Sequence, residues 1–359
     1  MDRRSFLKQT GAGLAAGAVA APAIAQSTPA VRWRLVSSFP KSLDALFGPA
    51  VMLANRVSVL TDGKFQIQTF GPGEIVPALS VLDAVKDGTV QCGHSASYYY
   101  VGKDKTFAFD TALPFGLTSR QQNAWMYYGG GLPLMREFFR DYNIINFVCG
   151  NTGAQMGGWF RKEIKSLADV KGLKMRIPGI GGEIWARLGA VPQAIPPGDI
   201  YPALEKGAID AVEFVGPYDD EKLGFYKVAK HYYYPGWWEG CAQGAMYVNV
   251  KEWEALPKAY QEAFEVATVE ANALGLANYD AKNPAALLRL VQNGAQLHPF
   301  PADFMKAAYK AALEYYDEEA AKNPAFKKIY EPWKKFRAEQ YQWFKVAEAS
   351  FQNFVFNAR

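Results

Sequence analysis

Two apolar, strand-like runs each deliver a charge to a break in the chain. Leu173-Lys174-Met175-Arg176-Ile177 runs into Pro178-Gly179, and Ile209-Asp210-Ala211-Val212-Glu213-Phe214-Val215 runs into Gly216-Pro217. The period of two puts Leu173, Met175 and Ile177 on one face of the first strand and Lys174 and Arg176 on the other. On the second strand Glu213 shares its face with Ala211 and Val215, so its carboxylate reads as buried and in need of a cation or strong donors. A guanidinium presents a fixed fork that matches a carboxylate. Open α/β sheets place ligands at the carboxyl ends of their strands. A small organic anion together with a cation would compensate both charges, and the backbone carbonyls around Phe214 suit a hard cation.

Other groups stand at comparable positions. Asn151-Thr152-Gly153-Ala154-Gln155-Met156 is a polar, small-residue link in which Gln155 offers an amide oxygen and NH2. Tyr98-Tyr99-Tyr100 follows a short strand around Val90–His94, and Trp237-Trp238-Glu239-Gly240 sets a carboxylate beside aromatics. The pattern speaks against an exported enzyme. The three histidines, His94, His231 and His298, lack metal-ligand spacing, and there is no GxSxG, P-loop or Rossmann GxGxxG. Glu213 and Glu239 as an acid–base pair in a sugar-processing cleft is the enzymatic alternative.

The elements that would position these residues follow a β-α-β-α-β rhythm. Val31–Val36 and Phe65–Phe70 alternate like strands, and Leu43–Leu60 and Val76–Asp87 have helical spacing. The pattern restarts after residue 150 with strands at Met156–Phe160, Leu173–Ile177 and Ile209–Phe214 and helices at Gly182–Leu188 and Gly198–Lys206. Two such units predict two lobes with a cleft between them. Lys251–Asn283 then reads as one helix long enough to run along both lobes, and Ala302–Ala321 as another. The last helix, Pro332–Phe356, carries Phe336, Trp343, Phe344, Phe351 and Phe354, more large aromatics than one buried stripe needs. They pack along the same chain or dock on a second subunit.

The 359 residues are half apolar and 21% charged, with a formal net charge of +4, which suits a globular protein and offers no basic field for nucleic acid. Residues 1–25 read as an export signal: Arg3-Arg4 before Phe6-Leu7-Lys8 resembles a twin-arginine motif, and Ala23-Ile24-Ala25 a signal-peptidase site. That predicts a periplasmic product. Cys92, Cys149 and Cys241 read as buried free thiols, with a single bridge as the alternative.

Taken together, Gly172-Leu173-Lys174-Met175-Arg176, Tyr201-Pro202-Ala203-Leu204-Glu205-Lys206-Gly207 and Ile209-Asp210-Ala211-Val212-Glu213 resemble the solute-binding subunits of tripartite ATP-independent periplasmic (TRAP) transporters. The resemblance covers the chain beyond the signal and is strongest to the receptors for 2-oxo monocarboxylates such as pyruvate. It implies an α/β, two-lobed periplasmic-binding-protein fold with a long lobe-spanning helix and an extended C-terminal helix. Lobe I would be residues 31–150 with part of 235–275, lobe II 151–235, packing helices 250–330, and a C-terminal dimerisation helix 331–356. It further implies a non-enzymatic receptor that hands its ligand to membrane permease subunits and forms a homodimer through a swapped C-terminal helix. Arg176 would pair with the ligand carboxylate, and Gln155 would touch ligand and cation. Glu213 and the Phe214 carbonyl would hold sodium, or alternatively calcium. Phe214 stands where many relatives carry Trp. Glu239, Tyr99 and Tyr100 would complete the pocket. A lactate–calcium receptor is the alternative within the same family.

Overall fold

The computed structural model describes residues 29–358, and the expected export signal at 1–25 lies outside them. Two sheets form the frame. The first has the order β2-β1-β3-β10-β4, with β1 (Val31–Ser37), β2 (Phe65–Phe70), β3 (Cys92–Ser95), β4 (Ile144–Asn151) and β10 (Gln243–Asn249). β1 is parallel to β2 and β3, and β10 is antiparallel to both β3 and β4. The second sheet has the order β11-β9-β5-β8-β6-β7. Its strands are β5 (Gly158–Phe160), β6 (Lys174–Arg176), β7 (Val191–Gln193), β8 (Ala211–Val212), β9 (His231–Tyr234) and β11 (Gln296–Pro299). Among the described residues, two segments pass directly between the sheets as loop: residues 152–157 after β4 and 235–242 before β10.

Helices cover the faces. The helix α1 (Asp44–Leu60) buries Phe47, Ala50, Leu53 and Val57 on the first sheet, their spacing of three or four giving one apolar stripe. In the second lobe, α2 (Gly179–Arg187) and α3 (Pro217–Leu223) each begin where a strand run ends. The long helix expected from Lys251 is broken. A short helix, Val250–Glu254, stops before Leu256-Pro257, and α4 starts at Lys258 and continues to Gln292. Pro257 lacks an amide proton, so the break falls where proline starts a new helix. With 35 residues α4 is roughly 52 Å long at about 1.5 Å per residue. It packs against α1 and β4 of the first lobe and α3 of the second.

The end of the chain also differs from expectation. After α5 (Ala302–Lys322), α6 begins at Pro324, not near 331, capped by Asn323, whose side chain accepts from the Phe326 amide. Pro332 sits inside it. Phe326, Ile329, Tyr330 and Trp333 are buried on the same chain, and Phe336 packs on Trp125 with ring centroids 5.3 Å apart. Further on, Phe344 is half-buried beneath Arg120, whereas Trp343, Phe351, Phe354 and Phe356 are exposed, Phe351 and Phe354 on α7 (Ser350–Asn357) at 66% and 74%. The two readings of the aromatic excess therefore divide along the helix, the first half packed at home and the second half without cover. All three cysteines are buried and unpaired.

Candidate functional site

β6 and β8 lie side by side and parallel, with Arg176 opposite Val212 in register, so the two charges that end their runs are neighbours. Arg176 and Glu213 are 1% and 0% exposed. The guanidinium donates from Nη1 to the Glu213 carbonyl at 2.6 Å and to Glu213 Oε2 at 3.2 Å, and from Nε to the Ile195 carbonyl at 3.2 Å. Its carbon lies 5.5 Å from the centre of the Phe214 ring. A fully buried ion pair keeps its desolvation cost unless further partners saturate both ions. Here the saturation is incomplete.

Three side-chain oxygens in this region are buried and receive no donor: Gln155 Oε1, Glu213 Oε1 and Glu239 Oε2. Each belongs to a different element that the cleft brings together. Gln155 comes from the 152–157 crossing, Glu213 from the end of β8, and Glu239 from the 235–242 crossing. The crossings are tied to each other by the Gln155 amide donating to the Glu239 carbonyl at 3.2 Å and the Gly236 amide donating to the Gln155 carbonyl at 2.9 Å. The Gln155 Nε2 donates to Thr152 Oγ1 at 3.1 Å, which fixes the amide with its oxygen turned away. The carboxyl groups of Glu213 and Glu239 repel one another. Burial first, and then that repulsion, push Glu213 above the ordinary range, while burial raises Glu239. The Arg176 guanidinium opposes the rise in both. Two carboxylates, an amide oxygen and a nearby carbonyl are hard donors that suit sodium or calcium. Among the described residues no group of three or more His, Cys, Asp or Glu side chains is arranged to hold a metal ion by itself.

The opposite wall is the short 3₁₀ turn Ser97–Tyr100, with three residues per turn, so residues i and i+3 share a face. Ser97 and Tyr100 therefore point into the first lobe. The Tyr100 hydroxyl meets the Leu82 amide at 3.2 Å and Ser95 Oγ at 2.9 Å. That removes Tyr100 from the expected pocket. Tyr98 and Tyr99 face the cleft, stacked on one another at 5.1 Å. Tyr99 stands beside the Arg176 guanidinium, and the Tyr98 phenol faces Glu239. Tyr98 and Trp238, whose indole is directed at Glu213, were not singled out by the sequence reading. The phase of the turn decides between the three tyrosines, and a run of identical residues does not reveal it.

Two cavities adjoin these groups. One, about 20 Å³, is lined by Tyr98, Tyr99, Gln155 and Phe214. The other, about 320 Å³, shares the two tyrosines and is lined further by Arg176, Pro178, Gly179 and Ile195. Lys105 of the first lobe and Glu183 of the second form an ion pair at 2.5 Å on its rim. The lobes are in close contact at Gly179. A Cβ on that residue would lie 2.5 Å from Tyr98 Cδ2.

Residues 36–323 match the DctP family model, bacterial extracellular solute-binding protein family 7. The chain belongs to this family of TRAP solute receptors. Among curated proteins, the DctP-family chain is 54% identical over 327 residues to a monocarboxylate 2-oxoacid-binding periplasmic protein of Nostoc sp., covering 91% of this chain and 90% of the relative. A TRAP transporter solute-binding protein from Bordetella bronchiseptica is 57% identical with a TM-score of 0.91, over 92% of this chain and 98% of the other. It was crystallised as a mixed-occupancy dimer, with co-purified calcium and picolinate in one active site and the other site apo. A TRAP periplasmic solute-binding protein from Pseudoalteromonas atlantica, 39% identical with a TM-score of 0.88 over 90% and 98% of the two chains, carries sodium and pyruvate. The DctP fold is thus that of two packed α/β sheets with many helices.

Proposed function

We propose that this receptor binds a small 2-oxo monocarboxylate such as pyruvate together with a cation, sodium or calcium, and delivers it to the membrane permease of a TRAP transporter. The ligand carboxylate pairs with Arg176 from the side of the 320 Å³ chamber. Gln155 Oε1, Glu213, Glu239 and the Phe214 carbonyl hold the cation, which also takes the ligand's keto oxygen. Tyr99 packs against the ligand beside Arg176. The observation that carries the reading is the set of three buried, unpartnered oxygens, of Gln155, Glu213 and Glu239, with the buried Arg176 guanidinium acting on both carboxyls. Leaving such oxygens without a partner costs about 1–3 kcal/mol each, and a hard cation relieves all three at once. The relatives crystallised with calcium and picolinate or sodium and pyruvate have the same pairing of anion with cation.

Closure follows from differential contacts. With the lobes apart, Gln155, Glu213 and Glu239 are hydrated; with them together, Arg176 and a bound cation compensate them, and the ligand carboxylate balances those two cations in turn. Export by the twin-arginine route to the periplasm and a homodimer joined through the exposed end of the C-terminal helix complete the proposal. The dimeric Bordetella relative supports the second of these. Calorimetry with pyruvate in sodium, in calcium and in chelator tests the site. Arg176→Ala should lower pyruvate affinity by about tenfold or more, since it breaks a desolvated charge pair. Affinity equal to wild type in that variant removes Arg176 from the ligand. Turnover of pyruvate or a homologue would restore the enzymatic alternative.

A further inference from the structure

The segment Glu213–Val215 presents three successive carbonyls with three different fates. The Glu213 carbonyl accepts from Arg176 Nη1 at 2.6 Å, and the Val215 carbonyl accepts from the Met156 amide at 3.1 Å. The Phe214 carbonyl between them receives no donor among the described residues. Its peptide unit is nonetheless held, from the other side. The Val215 amide, which belongs to the same Phe214–Val215 peptide, donates to Asp220 Oδ1 at 3.4 Å. The peptide is trans, so its N–H and C=O point in opposite directions. Anchoring the N–H toward Asp220 turns the carbonyl away from the core of the second lobe.

Asp220 is itself fixed. It sits in α3, is 1% exposed, and its other oxygen accepts from Trp159 Nε1 at 3.0 Å and from the Tyr232 hydroxyl at 2.7 Å. Trp159 and Tyr232 face each other across β5 and β9 with their rings stacked 3.9 Å apart. A buried carboxylate spanning β5, β9 and the end of β8 is more than packing requires, because an apolar side chain would fill that space without a desolvation cost.

We propose that Asp220 is the positioning residue of the cation site: by holding the Val215 amide it aims the Phe214 carbonyl at the cation. This deepens the cation-coupled reading above and rests on it. Outer partners that orient a metal's ligands set its affinity without touching it. The side chain is turned to the Val215 amide, Trp159 and Tyr232 and lines neither cavity, so its loss should show in the cation's half-saturation.

The test is a calcium titration of chelator-treated full chain at saturating pyruvate, followed by tryptophan fluorescence or calorimetry. Asp220→Asn should raise the calcium half-saturation by about tenfold or more. Pyruvate affinity and binding stoichiometry should return to wild type once calcium is in excess. Tyr279→Phe removes a hydrogen bond from the neighbouring buried carboxylate of Asp219, which does not hold the Phe214–Val215 peptide, and serves as the structural control. It should lower thermal stability while leaving the calcium half-saturation unchanged. Equal half-saturation in Asp220→Asn and wild type overturns the assignment, as does a defect in Asp220→Asn that excess calcium fails to rescue. If wild type itself binds pyruvate equally in calcium, sodium and chelator, the cation reading falls first, and the role of Asp220 falls with it.

Discussion

Replacing Glu239 by Gln should stabilise the ligand-free protein, and should do so only at neutral and alkaline pH. Glu239 is 2% exposed, and burial lifts its carboxyl from 4.5 to about 8. A carboxyl whose folded pKa is raised binds more protons in the native than in the unfolded state between those two values. Its contribution is therefore fully present below pH 4.5 and is lost as the pH climbs toward 8. At 1.36 kcal/mol per pH unit that interval sets a ceiling on the order of 5 kcal/mol at pH 8. Parting of the lobes hydrates the carboxylate and lowers the effect, so a gain of about 1–3 kcal/mol is expected for Glu239→Gln. Gln keeps the size and an acceptor oxygen, and the wild-type residue at pH 5 is itself largely neutral. Urea denaturation of both proteins in chelator, from pH 5 to 8.5, should show curves that nearly coincide at pH 5 and diverge upward. Adding calcium and pyruvate at pH 8 should reverse the order, since a ligand at a hundred times its Kd stabilises the state it binds by about 2.7 kcal/mol. A difference independent of pH, or a wild type that gains on the variant as pH rises, would refute the reasoning.

Gly179 has a φ of +68°, and a Cβ there would lie 2.5 Å from Tyr98 across the cleft. Gly179→Ala should therefore cost about 1 kcal/mol in stability from the backbone. It should also weaken pyruvate binding, with a larger radius of gyration in X-ray scattering at saturating ligand. An unchanged affinity would show that the two lobes need not approach this closely. Deleting residues 345–359 removes the exposed Val346, Phe351, Phe354 and Phe356. The shortened chain should sediment as a monomer while binding pyruvate within about twofold of the full chain, because none of the deleted residues lines either cavity of the candidate site. A truncated dimer would place the subunit interface elsewhere.

Arg176 and Glu213 were legible because a charge inside an apolar period-two run has few uses other than a buried site. The adjacency of β6 and β8 then followed from their shared parallel sheet. Gln155 and Glu239 were legible only as polar residues in loops. They are neighbours because each of the two crossings, tied to one another backbone to backbone, carries one of them, and no local pattern encodes that. β10 was missed for a related reason. It lies about ninety residues after β4 and enters the first sheet between β3 and β4, antiparallel to both, so its place is fixed by the long excursion through the second lobe. Tyr98 and Tyr99 were separated from Tyr100 by the phase of a four-residue 3₁₀ turn. The helix starts were displaced wherever proline or glycine set them. Pro257 broke the expected long helix, and Asn323-Pro324 opened the last one earlier than the aromatic pattern did.

The charge balance of the closed cleft ties proton, cation and ligand together. One buried guanidinium faces two buried carboxyl groups, and a monocarboxylate ligand adds a third negative charge. With every group ionised, calcium brings the sum to zero, whereas sodium leaves one negative charge in a medium that disfavours it. A proton retained on the coupled Glu213–Glu239 pair would cancel that remainder, and both carboxyls are already pushed upward by burial, Glu213 further by its neighbour. At the proposed site sodium would thus be accommodated with the pair singly protonated, and calcium with the proton expelled. On this account the acceptance of either ion is a property of two carboxyls that share one arginine. The same sharing would make the empty closed state unfavourable above neutral pH, so that the proposed receptor would close when an anion and a cation arrive together.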